Sequence, residues 1–254
     1  MNPAIKTHLT HLAAALRFIT ILPAGAADAY HPRAMIPFFP AVGLILGLIL
    51  ATADALFSRL FSPSAAGAAD VIVLVVLTGA LHLDGLADSA DGFFSHRDRE
   101  TTLSIMKDSR IGVMGAVVLI CVLLAKYGGI SGMPDNGTAG FERFLILMLV
   151  PAYSRSAMLL GVRFLPYARS GGGTAADLFG RPLSPADFWG IGVCVVLSLL
   201  LGWQGLLLTI VFFALCAWLI RFYRRRIGGI TGDMLGAMCE ITEALLLLCA
   251  AIRL

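Results

Sequence analysis

Apolar runs of bilayer length recur along this chain, separated by short connections that hold most of its charge. A hydrocarbon core roughly 30 Å thick calls for about 20 apolar residues of helix, because a helix satisfies every backbone N–H and C=O within its own segment. The runs are solid rather than alternating, which argues against a β-barrel. With 58% hydrophobic and 14% charged residues and a mean hydropathy of +0.87, the chain falls outside the range of soluble domains. It is expected to be all-α and polytopic, one domain over residues 1–254.

Seven spans are expected, with a further N-terminal helix in the membrane interface. Residues 34–57 form the first span, where Gly43 and Gly47 have the small-xxx-small spacing of close helix contact. The second, 65–83, runs directly into an acidic stretch; the third is 111–130, followed by the turn-rich SGMPDNGTAG; the fourth is 141–164, with Pro151 and Arg155 inside it. Residues 188–222 are too long for one helix, and GWQG at 202–205 divides them into a fifth and a sixth, with 235–254 the seventh. HLAAALRFITIL, residues 11–22, is short and broken by Arg17, which suits an interfacial position. Residues 1–22 lack the pattern of a cleavable signal.

Basic residues give the orientation, because Lys and Arg accumulate in short cytoplasmic loops. Lys6, Arg17 and Arg33 precede the first span; Arg97, Arg99, Lys107 and Arg110 follow the second; Arg163, Arg169 and Arg181 follow the fourth; Arg221, Arg224, Arg225 and Arg226 follow the sixth. The intervening connections carry Arg59 alone. The N-terminus is therefore expected inside and the C-terminus outside, in the cytoplasmic (inner) membrane. A net charge of +3 without a basic tract interleaved with aromatics excludes a nucleic-acid surface, so the lipid bilayer is the expected surrounding. The oligomeric state stays open, a homo-oligomer included. Cys121, Cys194, Cys216, Cys239 and Cys249 lie in or beside apolar runs without metal-ligand spacing and read as small buried hydrophobes.

Charge inside or beside apolar runs is costly, and this is where function is sought. In LHLDGLADSADGFFS, Asp84, Asp88 and Asp91 stand at i, i+4 and i+7, which puts three carboxylates on one helix face. Like charges so close call for a cation, and an oxygen-only donor set favours Mg²⁺ over zinc. The bland alternative is a solvated helix end. Gly85 and Gly92 each follow an aspartate, and their cost in a helix implies that something approaches that backbone closely. His82 falls off the carboxylate face.

Asp108, between Lys107 and Arg110 just before the third span, offers a fourth carboxylate or else a structural ion pair with Arg110. Lys107 and Arg110 are the types that bind phosphate oxygens. A second acidic group lies in GGITGDMLGAMCEITE: Asp233 near the helix start, Glu240 roughly 10 Å deeper and Glu243 a turn further. Gly228, Gly229 and Gly232 make a glycine-rich entry suited to an anion, or simply to helix packing. Arg155 in the fourth span is the partner for buried carboxylates or for a phosphate. Carboxylates with Mg²⁺ at a cytoplasmic helix end favour phosphoryl-group transfer from a diphosphate-linked donor. The runner-up is a cation-coupled transporter using the same carboxylates, although transport sites tend toward the bilayer midplane.

LHLDGLADSADGFFS, LSIMKDSRIGVMGA and GGITGDMLGAMCEITE, in that order, with FFPAVGLILG near the start and SR at 154–155, closely resemble the motifs of the adenosylcobinamide-GDP ribazoletransferase family, the membrane cobalamin (5′-phosphate) synthases. The resemblance covers nearly the whole chain. Ile21 in FITILP departs from it, standing where a basic residue is expected in relatives, so the arm is given no phosphate role. A looser likeness to the CDP-alcohol phosphotransferases lacks their AR dipeptide and spacer.

The resemblance implies Mg²⁺-dependent joining of adenosylcobinamide-GDP to α-ribazole or its 5′-phosphate, with release of GMP. It implies that Asp84, Asp88 and Asp91 hold metal, with Asp108 completing that shell or acting as base, so that Asp91 and Asp108 stand at the catalytic centre. Asp233, Glu240 and Glu243 would hold a second metal or orient the ribazole hydroxyl. Lys107, Arg110 and Arg155, with Gly229 and Gly232, would contact the diphosphate.

Overall fold

The computed structural model describes residues 3–25, 32–133, 139–170, 172–173, 175–180 and 182–252; Arg181 and residues 134–138 of the expected turn-rich loop lie outside them. The chain is all-helical: α1 (Pro3–Ile19), α2 (Pro32–Met35), α3 (Phe39–Leu60), α4 (Pro63–Thr78), α5 (Leu81–Phe94), α6 (Arg99–Ile105), α7 (Val113–Gly132), α8 (Ala139–Phe164), α9 (Trp189–Ser198), α10 (Trp203–Arg226) and α11 (Gly232–Ala250). Among the described residues there is no strand, only one parallel bridge between Tyr167 and Ile230.

Small residues set the central packing. A Cβ on Gly43 or Gly47 would overlap backbone atoms of Pro151 and Ala152, or of Met148, so α3 and α8 touch backbone to backbone, as their spacing predicts. Asp54 at the far end of α3 meets Arg143 near the start of α8, which makes the pair antiparallel. Arg155 against Glu243 and Gly161 against Leu235 set α8 antiparallel to α11. Lys126 against Glu243 and Gly129 against Leu247 set α7 parallel to α11. The starts of α3, α7 and α11 and the ends of α4, α8 and α10 therefore share one end of the bundle, and the end of α5, α6 and the 165–169 loop lie there.

By length and apolarity, four helical stretches among the described residues could cross a membrane: Pro32–Leu60, Val113–Gly132, Gly140–Phe164 and Trp203–Arg226. A fifth is added if α4 and α5 are one broken span. The Gly140–Phe164 window is 89% buried against 22% for Val113–Gly132, so α8 is the inner helix and α7 faces outward. The other expected spans differ from simple apolar rods. Pro185–Leu201 is shorter, ending where Gly202 (φ +57°) turns the chain inside the expected GWQG break. Helix α11 carries Asp233, Glu240 and Glu243, yet most of it is buried among its neighbours.

The second span does not run on into the acidic stretch as expected. α4 ends at Thr78, Gly79 and Ala80 both take left-handed φ (57° and 58°), and α5 departs at 91° from α4. Gly79 and Ala80 donate their N–H groups back to Val75 and Val76 carbonyls, closing a helix C-cap. The left-handed conformation costs a non-glycine residue such as Ala80 about 1–2 kcal/mol. The N-terminal arm covers this corner, Ile21 donating its N–H to the Leu77 carbonyl at 2.9 Å. Helix α5 therefore leaves the line of α4 and packs against α11 and α7, with Leu83 and Leu86 meeting Ala237. α1 starts at Pro3 rather than at residue 11, with Ala14, Ala15 and Ile19 buried and Phe18 stacked on Phe39. Among the described residues no cysteine is paired; Cys121 is exposed and Cys249 half-buried rather than buried as expected.

Candidate active site

Helix α5 crosses the first turn of α11 at backbone contact. A Cβ on Gly85 would lie 2.7 Å from the Asp233 carbonyl oxygen, and one on Gly236 would lie 3.1 Å from that of His82. Gly92 in turn admits Met106 and the Thr102 carbonyl of α6. The close approach expected at Gly85 and Gly92 is what the structure contains, and it joins Gly85 to Asp233, 148 residues further on in sequence.

Asp84 is exposed and Asp88 half-buried on the outward face of α5. The Asp88 carboxyl is pushed up to about 6, first by burial and then by the charges of Asp84, Asp233 and Asp91, with Arg169 acting the other way. Asp91 has a different occupation. Its oxygens accept from the N–H groups of Gly112 (2.7 Å) and Gly115 (2.8 Å), so this carboxylate caps the start of α7 from outside. The expectation of Asp91 as a metal or catalytic group meets a carboxylate already engaged in positioning a helix.

Asp233 stands one residue after Gly232, in the first turn of α11, which Thr231 caps by accepting the Met234 N–H at 3.2 Å. Arg169 donates to Asp233 at 2.7 Å and to the Met106 carbonyl at 3.3 Å. In the sequence Arg169 stands only as a loop charge, and nothing local marks it out. Arg99 ties α6 to the Ile227 and Ala168 carbonyls, both at 2.7 Å, which fixes the surrounding loops.

The loop from Met106 to Gly112 borders this face, Met106 packing on Gly92 and Gly112 on Asp91. Lys107 is exposed on it. Asp108 takes the structural alternative: it pairs with Arg110 at 2.6 Å on the surface, and that guanidinium draws its carboxyl down to about 2. Its oxygens do not join the α5 carboxylates, because Arg110 two residues on reaches them first.

The deeper acids are locked away. Lys126 places its ammonium 2.6 Å from both Glu240 Oε2 and Glu243 Oε1, while Arg155 pairs with Glu243 and with Ser154. Glu240, Glu243 and Arg155 are 2%, 1% and 0% exposed. Two acids and two bases balance, so the glutamates expected to be catalytic and the arginine expected on the diphosphate stand in one ionic group, in which Arg155 Nε and Nη2 have no partner. Lys126, unremarked in the sequence reading, supplies the missing cation. Gly229 is buried against Pro166 and Ala168, and Gly232 meets Ala175. The Ile230 N–H goes to the Pro166 carbonyl at 2.9 Å, so this entry docks the 165–169 loop.

Among the described residues no three His, Cys, Asp or Glu side chains are gathered as a metal cluster. The donor chemistry nevertheless fits Mg²⁺. Asp84 and Asp88 offer oxygen only, their mutual repulsion is incompletely offset by Arg169, and Mg²⁺ is commonly held by one or two carboxylates together with substrate phosphates.

The profile of the family described as cobalamin-5-phosphate synthase matches residues 11–251. A Roseiflexus protein named adenosylcobinamide-GDP ribazoletransferase is 38% identical over 238 residues, covering 92% of this chain and 86% of the relative. Proteins of the same name from Pseudomonas entomophila (40% identity, 90% and 93% covered) and Pseudomonas aeruginosa (39% identity, 98% and 100% covered) are similarly related. No solved structure matches.

Proposed function

Because this chain belongs to the cobalamin-5-phosphate synthase family, we propose that the carboxylate face of α5 is where it performs the family's reaction. The protein is a transferase of cobalamin biosynthesis. It joins adenosylcobinamide-GDP to α-ribazole or its 5′-phosphate. The ribose 3′-hydroxyl oxygen attacks the cobinamide-side phosphorus, the bond between the two phosphates breaks, GMP leaves and the hydroxyl proton is released.

The observation that carries the site assignment is the Gly85–Asp233 contact, which sets both acidic motifs side by side at the basic end of the bundle. Asp84 and Asp88, with Asp233, would hold Mg²⁺, which when bound offsets the diphosphate charge and that of the leaving GMP. Arg169 steers phosphate oxygens toward this face, since a phosphate competes with Asp233 for its guanidinium. Lys107 and Arg110 add positive charge at the rim. Asp91 acts by holding α7 against α5, and the Lys126–Glu240–Glu243–Arg155 knot by fixing α7, α8 and α11 beneath the site.

We further read seven segments as traversing the inner membrane, α3, α4, α7, α8, the α9 stretch, α10 and α11, with the site end cytoplasmic. Support comes from the charge distribution: the basic residues of α6, the 106–112 loop and the ends of α8 and α10 all lie at that end, whereas Arg59 and Arg143 lie at the other. A carboxylate face at a helix-bundle end, rather than at mid-depth, favours an enzyme over a transporter.

The site assignment is tested by Asp84→Asn and Asp88→Asn. Each is expected to lower GMP release by about 100-fold or more, on the scale of lost charge stabilisation at a phosphoryl centre, with membrane insertion unchanged. Near-normal turnover in either would remove that carboxylate from the site.

A further inference from the structure

At the opposite end of the bundle a second group of charges is buried. Asp54 of α3 and Asp70 of α4 are 4% and 0% exposed. Arg143 of α8 grips Asp54 with both arms, Nη2 to Oδ1 at 2.6 Å and Nε to Oδ2 at 2.8 Å, and gives Nη1 to the Ile130 carbonyl at 2.9 Å. Asp54 is thus held by a guanidinium, and Ser58 reaches it weakly at 3.4 Å.

Asp70 has no such answer. Neither of its oxygens has a hydrogen-bond partner. Its carboxyl faces that of Asp54, with Arg143 near enough to act on both. Two carboxylates this close repel one another when both are ionised, and a shared proton or a cation relieves them. Ser131 Oγ of α7 is also buried without a partner. It is seated against Gly67, one turn of α4 before Asp70, where a Cβ would overlap it. Asp54, Ser58, Ser131 and Arg143 line a cavity of about 180 Å³ here.

Charge counting decides what the place accepts. Two carboxylates stand here against the guanidinium of Arg143, and Asp70 is wholly buried, so its negative charge is strongly unfavourable unless it is neutralised. One positive charge balances it, whereas a divalent ion would leave an excess of the other sign. The donors are oxygens only, which suits a hard ion. We propose that Asp70, together with Asp54 and Ser131, binds a single alkali cation, with sodium as the probe, where α3, α4, α7 and α8 meet at the end of the bundle away from the carboxylate face of α5.

The test uses the purified full-length protein in detergent at pH 8.5, with sodium chloride replacing choline chloride at constant ionic strength. Sodium is expected to raise the thermal unfolding midpoint saturably, by about 5 °C when the site is filled. Asp70→Asn is expected to abolish the response, while Asp84→Asn at the far site keeps it. If Asp70→Asn does not fold, Ser131→Ala is expected to raise the half-saturating sodium concentration several-fold. No difference between sodium and choline in the unsubstituted protein would overturn the proposal and identify a proton as the neutralising charge. A sodium response that survives both Asp70→Asn and Ser131→Ala would overturn it equally. The readout is stability, so its outcome is independent of whether the transfer reaction takes place at α5.

Discussion

Lys126 shows how much one side chain can decide inside an apolar bundle. Its ammonium answers Glu240 and part of Glu243, with Arg155 taking the rest. Removing one member of a buried ionic group leaves a charge without a partner, which costs about 3–5 kcal/mol. Lys126→Met is therefore expected to lower stability by about that amount in thermal unfolding, and adding Glu240→Gln to recover a substantial part of it. If the double variant is no better than the single, the charges do not act as a set. Asp88 carries a different prediction. With its carboxyl at about 6 in the folded protein against about 3.9 unfolded, the folded state binds more protons between those values. Stability without divalent cation should therefore fall as pH rises from about 4 through about 6. Asp88→Asn should remove that slope and stabilise the cation-free protein at pH 7, by less than about 1 kcal/mol because the group is half-exposed. A slope unchanged in the variant would assign it elsewhere. The three aspartates of α5 were legible because a helical period places them on one face. Lys126 and Arg169 were not, since their partners lie 114 and 64 residues away and only packing brings them together.

At the scale of elements, glycines determine how closely helices approach. Gly43 and Gly47 could be read from their spacing, and they do bring α3 onto α8. The corner at Gly79–Ala80 could not. The apolar run and the acidic run continue one another without a proline or a polar cluster, and nothing in TGALHL announces that an alanine will take the left-handed conformation. It is held there by the capping bonds to Val75 and Val76 and by the arm at Ile21, which are contacts at longer range. Because that corner turns α5 onto α11, the proposed site depends on the Gly85 contact. A methyl group at residue 85 meets backbone, not a flexible side chain, 2.7 Å away. Gly85→Ala is expected to displace α5 from Asp233 and lower turnover at least ten-fold, an effect of about 1.4 kcal/mol or more on the barrier, while the protein remains inserted. Unchanged turnover at normal expression would mean that α5 and α11 need not touch for chemistry.

The whole molecule separates its charges by depth. One end gathers Asp84, Asp88 and Asp233 with Arg169 and the exposed bases; the middle holds the balanced knot around Lys126; the far end buries Asp54 and Asp70 beside a half-buried Arg143. The fold class and the basic bias of one end were legible from composition and loop charge. The distribution of the acids among three depths was not, because helical spacing says how far apart two residues lie and not which neighbour faces each. The central claim is that the first of these groups works with Mg²⁺ on a diphosphate. The most direct measurement is to incubate the purified protein with adenosylcobinamide-GDP and α-ribazole or its 5′-phosphate, with Mg²⁺ or with EDTA, and to quantify GMP and the cobalamin product by mass spectrometry. The predicted result is equal amounts of both products with Mg²⁺ and neither with EDTA. Undiminished product in EDTA would contradict the assignment of these carboxylates to a cation.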